Sequence, residues 1–218
     1  MSAKETAPEA RQPTAESAEE SVANGKAPLK IRVARVEDAP AVAAIYAPYV
    51  ESTAITFEYD APDAQEIARR MTTTLEHYPY LVAEDTQGRI RGYAYANAFK
   101  PRAAYSWSVE TSIYVERGFH GRGVGRQLQT TLEGLLAVQG VRNVNACIAF
   151  PPTEDDPYLT CDSVLFHKHM GFAPVGQFHY CASKFGRWYH MVWMEKHIGP
   201  HKPGQPKPPV PFSQLGTG

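Results

Sequence analysis

The sequence has no surplus of either charge, no long apolar run and few cysteines, and each shortage narrows what it can do. Its 218 residues carry 22 Lys plus Arg against 23 Asp plus Glu, so nothing in the bulk charge would hold nucleic acid or an anionic membrane. No stretch approaches the ~20 apolar residues that span a bilayer, and the N-terminus lacks the apolar run of a signal peptide. A cytoplasmic protein is expected. Cys147, Cys161 and Cys181 are too widely spaced for a close-paired zinc pattern and odd in number for a disulfide framework. No metal is expected.

Large apolar residues are also scarce at both ends. Residues 1–28 are mostly Ala, Glu, Ser and Pro, which bury too little surface to offset the entropy of ordering, so a disordered tail is expected. Residues 200–218 are proline-rich and suit an extended segment rather than a packed one. Between them, residues 29–199 make one ordinary domain.

Within that domain the hydrophobic period changes several times. Ile31 and Val33 alternate with Arg32 and Ala34 as a short strand. Val42, Ile45, Tyr46 and Tyr49 then fall on one helical face, and Ile67, Met71 and Leu75 on another, in a helix from Asp63 to His77. From Tyr80 the period is two: strands are expected over Tyr80–Glu84, Ile90–Phe99 and Trp107–Val115. A helix through Leu128, Leu132, Leu135 and Leu136 ends at Gly140, a strand runs from Val141 to Phe150, and a short helix from Ser163 to Met170. Val175–Ser183 and Trp188–Glu195 form a hairpin around Phe185, Gly186 and Arg187. The order implies a mixed α/β layout around one sheet.

The most informative stretch joins the third of those strands to the leucine-rich helix as Gly121-Arg122-Gly123-Val124-Gly125-Arg126. Alternating glycines let backbone N–H groups approach a ligand, and a helix N-terminus favours anions, so a phosphate site is expected. A nucleoside-triphosphate loop would place Lys and then Ser or Thr after the last glycine, where Arg126 and Gln127 stand. A dinucleotide fold would place the glycines after a buried parallel strand, whereas this strand carries Ser108, Glu110, Thr111 and Ser112.

Read with its flanks, the stretch resembles motif A of the GNAT superfamily of N-acetyltransferases, Gln or Arg, two residues, Gly, one residue, Gly or Ala. Here it reads His120-Gly121-Arg122-Gly123-Val124-Gly125, with His120 departing at the first position. The likeness continues through Val109–Val115, Leu165–Phe172, Tyr46 with Val50–Glu58, Lys100-Pro101-Arg102-Ala103-Ala104-Tyr105 and Gly186-Arg187-Trp188, over about 170 residues. Together these resemble the phosphinothricin acetyltransferase branch.

That resemblance implies the GNAT fold, a mixed and mostly antiparallel sheet flanked by helices, with acetyl-CoA as co-substrate and no metal. It implies direct transfer to the primary amine of a small molecule, such as phosphinothricin or methionine sulfoximine or sulfone, and a possible homodimer; neither nucleic acid nor membrane enters. Ile113, Tyr114 and Val115 would meet the pantetheine arm, Gly121, Arg122, Gly123, Val124, Gly125 and Arg126 would cradle the pyrophosphate, and Ser163 would assist. Glu110 resembles the branch's general base. His167 stands where the branch carries histidine, as an acid at sulfur or a positioning residue. Phe57, Lys100, Arg102 and Tyr105 would bind the acceptor.

One departure bears on substrate. The branch has a short Asn-containing turn after the fourth core strand, and this chain instead runs through Glu154, Asp155 and Asp156, which would repel anionic acceptors or attract cationic ones. Three other readings stay open on the residues: acetylation of a cationic amine, a CoA-binding regulatory module that leaves Glu110 idle, and a ping-pong enzyme acylated on Cys147.

Overall fold

Residues 29–215 are described by a computed structural model; the tail expected over 1–28 lies outside them. Strand β1 (Lys30–Val33) and helices α1 (Ala39–Ser52) and α2 (Ala64–His77) come first, then β2 (Tyr80–Glu84), β3 (Ile90–Ala98) and β4 (Ser108–Val115). Helix α3 (Val124–Gln139), β5 (Asn143–Phe150), α4 (Asp162–His169) and the hairpin β6 (Ala173–Lys184) and β7 (Arg187–His197) follow. The seven strands form one sheet in the order β1-β2-β3-β4-β5-β7-β6. Every neighbouring pair is antiparallel except β4 and β5, so the expected mixed, mostly antiparallel sheet is what forms.

Local chemistry explains the helices. The Asp63 carboxylate accepts the Glu66 N–H at 2.8 Å and caps α2, leaving Ile67 and Met71 to bury with Val42, Ile45 and Tyr49 of α1 against one face of the sheet. On the opposite face, Leu128, Leu132 and Leu136 of α3 pack on Val109, Val144 and Met194, each buried leucine worth about 1.5–3 kcal/mol. Gly92 sets how closely α3 approaches. A Cβ there would lie 2.9 Å from the Tyr114 carbonyl oxygen, 3.1 Å from Val124 and 3.2 Å from Leu128, so any side chain would lift the helix N-terminus off β3.

The feature that matters most for function is a split in the sheet. The parallel ladder between β4 and β5 lasts only from Ser108–Asn143 to Glu110–Asn145. Beyond it β4 stays with β3 as far as Val115–Gly92, while β5 stays with β7 as far as Phe150–His190. Asn145 sits at the fork, where its side-chain amide donates to the Val109 carbonyl at 2.9 Å and its own carbonyl accepts from the Thr111 hydroxyl at 3.4 Å. Side chains thus replace the next ladder bonds, and the strands part.

The expectation of an unpacked C-terminal end is corrected. Trp107 donates its indole N–H to the Lys207 carbonyl at 2.9 Å, and Val210 exchanges hydrogen bonds of 2.8 Å with Gln139, the last residue of α3. Phe212 is buried, and Ser213 donates to the Glu76 carbonyl at 2.8 Å. Val210 and Phe212 supply the burial; an average over a proline-rich stretch hides two such residues.

Candidate active site

The fork leaves unpaired main chain. Glu116 donates its N–H to Arg91 at 2.9 Å and Phe99 to Ser108 at 3.3 Å, and bonded pairs alternate with non-bonded pairs in an antiparallel ladder. Counting between those two ends, Glu110, Ser112 and Tyr114 exchange bonds with β3. The main-chain groups of Thr111, Ile113 and Val115 therefore point away from β3, into the gap. One of them is already used: the Tyr49 hydroxyl donates to the Val115 carbonyl at 2.5 Å. The Val115 N–H and both groups of Ile113 face a gap wide enough for a third, extended strand-like ligand.

At the mouth of that gap the glycine loop turns into α3. Gly121 and Gly123 hold φ of 76° and 80°, left-handed values that glycine adopts at no steric cost. Gly123 is the helix N-cap, with no side chain capping the first turn and no acidic residue in it, so the N–H groups of the first turn remain available to an anion. His120, the departure from the motif, anchors the loop: its Nε2 lies 2.8 Å from the Tyr49 hydroxyl and 3.2 Å from the Val115 carbonyl.

A cavity of about 540 Å³ joins these features, lined by Ile113, Tyr114, Val115, Gly121, Gly123, Val124, Gly125, Arg126, Ser163 and His167. The Arg122 side chain is turned elsewhere. Its guanidinium lies 4.6 Å over the Phe119 ring, which also receives Arg91 at 4.1 Å, so it holds the loop by cation–π contact rather than lining the cavity. Gly125 has its own reason, since a Cβ there would meet the Phe166 ring at 3.2 Å and push α4 off the cavity. An elongated thiol carrier with a diphosphate fits this shape: main-chain pairing in the gap for its arm, uncapped amides for its phosphates. Among the described residues no cluster of His, Cys, Asp and Glu is arranged to hold a metal ion.

Glu110 stands at the inner end of the gap, opposite Asn97 on β3 and Asn145 on β5. Burial pushes its carboxyl above the ordinary glutamate value, and the nearby Lys100 ammonium offsets part of the rise. Lys100, Arg102 and Tyr105 lie on the exposed connection just before β4. The Lys100 ammonium packs 4.9 Å over Phe99 and 5.5 Å over Trp193, and Tyr105 stands edge-on to Phe99 at 5.9 Å. Phe57 packs against a small apolar cluster of Ala54, Ala149 and Tyr189.

His167 is buried between Phe166 and Phe172, with ring centroids 5.2 and 5.0 Å away. Its Nδ1 lies 2.7 Å from the Ser163 carbonyl and must donate to it, so Nε2 carries the lone pair, and that atom has no protein partner among the described residues. Burial holds its pKa below the ordinary histidine value. Of the two expected roles, acid and positioning residue, the neutral acceptor form fits positioning.

The acidic loop does not present three charges to the cleft. Asp156 is fully buried: one oxygen accepts the Tyr158 N–H at 2.9 Å and the Tyr189 hydroxyl at 3.4 Å, and Arg187 lies 3.6 Å from the other. Only Glu154 and Asp155 are exposed. Cys147 is exposed on β5, and partial desolvation together with the charge of nearby Glu110 pushes its thiol pKa up. A thiol held protonated is a poor nucleophile. Tyr49, Phe119, His120 and Phe166 were not among the expected site residues; the aromatic at position 49, on the apolar face of α1, reads from sequence as core.

Comparison with known proteins bears on this geometry. Residues 31–193 match the family model of the acetyltransferase (GNAT) domain. Phosphinothricin N-acetyltransferase of Alcaligenes faecalis is 37% identical over 171 residues, spanning 76% of this chain and 81% of its own length. The L-methionine sulfoximine/L-methionine sulfone acetyltransferase of Pseudomonas aeruginosa is 33% identical, over 78% of this chain and 95% of its own. The crystal structure of a phosphinothricin acetyltransferase from Sinorhizobium meliloti in complex with acetyl-CoA superposes with a TM-score of 0.73 at 32% identity, covering 82% of this chain and 93% of that one.

Proposed function

We propose that this chain, which belongs to the GNAT acetyltransferase family and takes its acetyl group from acetyl-CoA, acetylates the α-amino group of small amino-acid analogues such as phosphinothricin or methionine sulfoximine or sulfone, with Glu110 as general base. It is an acetyl-CoA-dependent N-acetyltransferase. The observation that carries the reading is the fork between β4 and β5, with Glu110 at its inner end and the uncapped N-terminus of α3 at its mouth.

The chemistry asks little of the protein beyond placement. When bound, acetyl-CoA supplies the activated acyl group as a thioester. The amine must be neutral to attack, and an α-amino group has an ordinary pKa of about 7.7–8.0, so a modest base suffices. Glu110, with its raised pKa, takes the ammonium proton directly or through a water. Lys100 and Arg102 offer charge for the acceptor's carboxylate. His167 supports the cavity wall, its ring fixed by the Nδ1–H donated to the Ser163 carbonyl.

The exposed edge of β6, with Val175, Phe178 and Tyr180 open to solvent, suits a homodimer; a monomer mass by light scattering would remove that part of the reading. A cytoplasmic setting fits three free cysteines, Cys147, Cys161 and Cys181. The decisive experiment is an acceptor screen that follows thiol release from acetyl-CoA with phosphinothricin, methionine sulfone and cationic amines. Release with the first two supports the reading. Release with none identifies a regulatory module, and a labelled acyl-protein lost in Cys147→Ala identifies a ping-pong enzyme.

A further inference from the structure

The gap between β4 and β5 is bridged by residues 53–59, a strap that follows α1. One side of it is tied to α1 and α2, on the β4 side of the fork, where Tyr46 and Tyr49 pack edge-on to Tyr114. The Thr53 hydroxyl donates to the Tyr49 carbonyl at 2.6 Å, the Thr56 hydroxyl meets that of Tyr46 at 2.6 Å, and Glu58 pairs with Arg70 at 2.7 Å. The other side is tied to segments that belong with β5. Ala54 donates its N–H to the Tyr158 carbonyl at 3.0 Å, and the Tyr59 hydroxyl donates to the Ser183 carbonyl at 2.8 Å. Ile55 of the strap and Thr160, two residues past Tyr158, line the same cavity as Ile113 and Val115. The join between strap and loop therefore closes the wall along which the pantetheine arm would lie.

One tie across the join comes from a buried charge. Lys184, 2% exposed, ends β6 and donates from its ammonium to the Thr56 carbonyl at 2.8 Å. A buried ammonium is costly unless a hydrogen bond meets it, and the Thr56 carbonyl is its only hydrogen-bond acceptor among the described residues. Burial lowers its pKa, and nearby Glu58 offsets part of the fall. The turn beyond it is tight: Phe185 and Gly186 hold φ of 52° and 71°, as in a two-residue hairpin turn. The Phe185 ring stacks on Tyr158 at 4.4 Å, so Lys184 is presented to the strap from a fixed place.

We propose that Lys184 is a positioning residue that latches the strap across the fork, so that bound acetyl-CoA leaves the gap only as the latch opens. The proposal rests on the reading above that acetyl-CoA occupies the gap, and it adds the residue that sets how long the co-substrate stays. Hydrogen bonds to charged groups are worth more than neutral ones. The Lys184 bond therefore carries more of the closure than the Tyr59 bond, whose donor residue is 71% exposed.

The test chases radiolabelled acetyl-CoA off the full chain with excess unlabelled acetyl-CoA, in the wild type, Lys184→Met and Tyr59→Phe. Lys184→Met keeps a long side chain and deletes the donor, and it should speed dissociation about tenfold; Tyr59→Phe should speed it about two- to threefold. Hydrogen exchange at the Ala54 amide of the free protein should quicken in the same order. Phe212→Ala, weakened at the C-terminal segment, controls for a general loss of stability and should leave dissociation unchanged. A wild-type rate in folded Lys184→Met, or an equal acceleration by Phe212→Ala, overturns the latch and leaves the acetyltransferase reading intact. Should Lys184→Met fail to fold, an unchanged rate in Tyr59→Phe overturns it. A wild type that binds no acetyl-CoA overturns the latch and that reading together.

Discussion

The Tyr49 hydroxyl, on α1, donates to the Val115 carbonyl at the end of β4 across 2.5 Å, and His120 completes the contact from the glycine loop. Three segments that meet nowhere else in sequence are joined at one oxygen. The contact removes a carbonyl from the gap and fixes where the loop begins.

Tyr49→Phe keeps the ring, which packs edge-on to Tyr114 at 5.2 Å, and deletes the hydroxyl that meets both the Val115 carbonyl and His120. A net ~1 kcal/mol for the Val115 hydrogen bond corresponds to about a fivefold rise in the Kd for acetyl-CoA, measured by calorimetry. His120→Gln retains a donor and should stay near the wild type, while His120→Ala should behave like Tyr49→Phe. An unchanged Kd in all three would sink the anchoring role.

Glu110→Gln should lower kcat by about 10²- to 10⁴-fold with the acetyl-CoA Kd nearly unchanged. The wild-type rate should rise with pH through a midpoint above the ordinary glutamate value, because burial raises the carboxyl's pKa. Stability runs the other way. A raised pKa means that the fold disfavours the ionised form, so the wild type loses stability as pH climbs from the ordinary value of about 4.3 through the folded one. The glutamine variant escapes that loss, and its melting temperature should exceed the wild type's at pH 7 but not at pH 4.

His167 titrates in the opposite sense. Its folded pKa is lowered by burial, so the stability it contributes is complete above the ordinary value of about 6.5 and falls as pH drops through that value toward the folded one. His167→Gln should flatten this acid-side decline in melting temperature. A basic limb in kcat near pH 7 or above, present in the wild type and absent from the variant, would instead restore the acid role.

Phe212→Ala removes a buried aromatic that helps to hold the C-terminal segment on α2 and the end of α3. Loss of about 3 kcal/mol is expected, read as a lower denaturation midpoint in urea. Gln139 and the glycine loop lie at opposite ends of α3, so acetyl-CoA affinity should hold. A variant as stable as the wild type would return residues 200–215 to the status of a loose tail.

Much of the local structure was legible because it depends on near neighbours. The 3.6 and 2.0 periods located α1, α2 and the strands, with errors of a residue or two at their ends, as where β5 starts at Asn143 rather than Val141. Gly121, Gly123 and Gly125 announced a phosphate loop because their need for unusual φ or close approach is a property of the residue itself. Tyr49 and Asp156 were illegible for the converse reason. An aromatic on a helical face reads as core and an aspartate in an acidic run as solvated; the partners that change those meanings, Val115 and Tyr189, lie 66 and 33 residues away.

The amino-acid order alone determined which segments turn, coil or extend, and which chemical groups each brings. Only the folded chain decided which of those groups stay unsatisfied: the Ile113 amide and carbonyl because β5 leaves β4 at Asn145, and the His167 Nε2 because Phe166 and Phe172 pack around the ring. Backbone preference acts over a few residues, whereas an unmet hydrogen bond depends on everything packed around it.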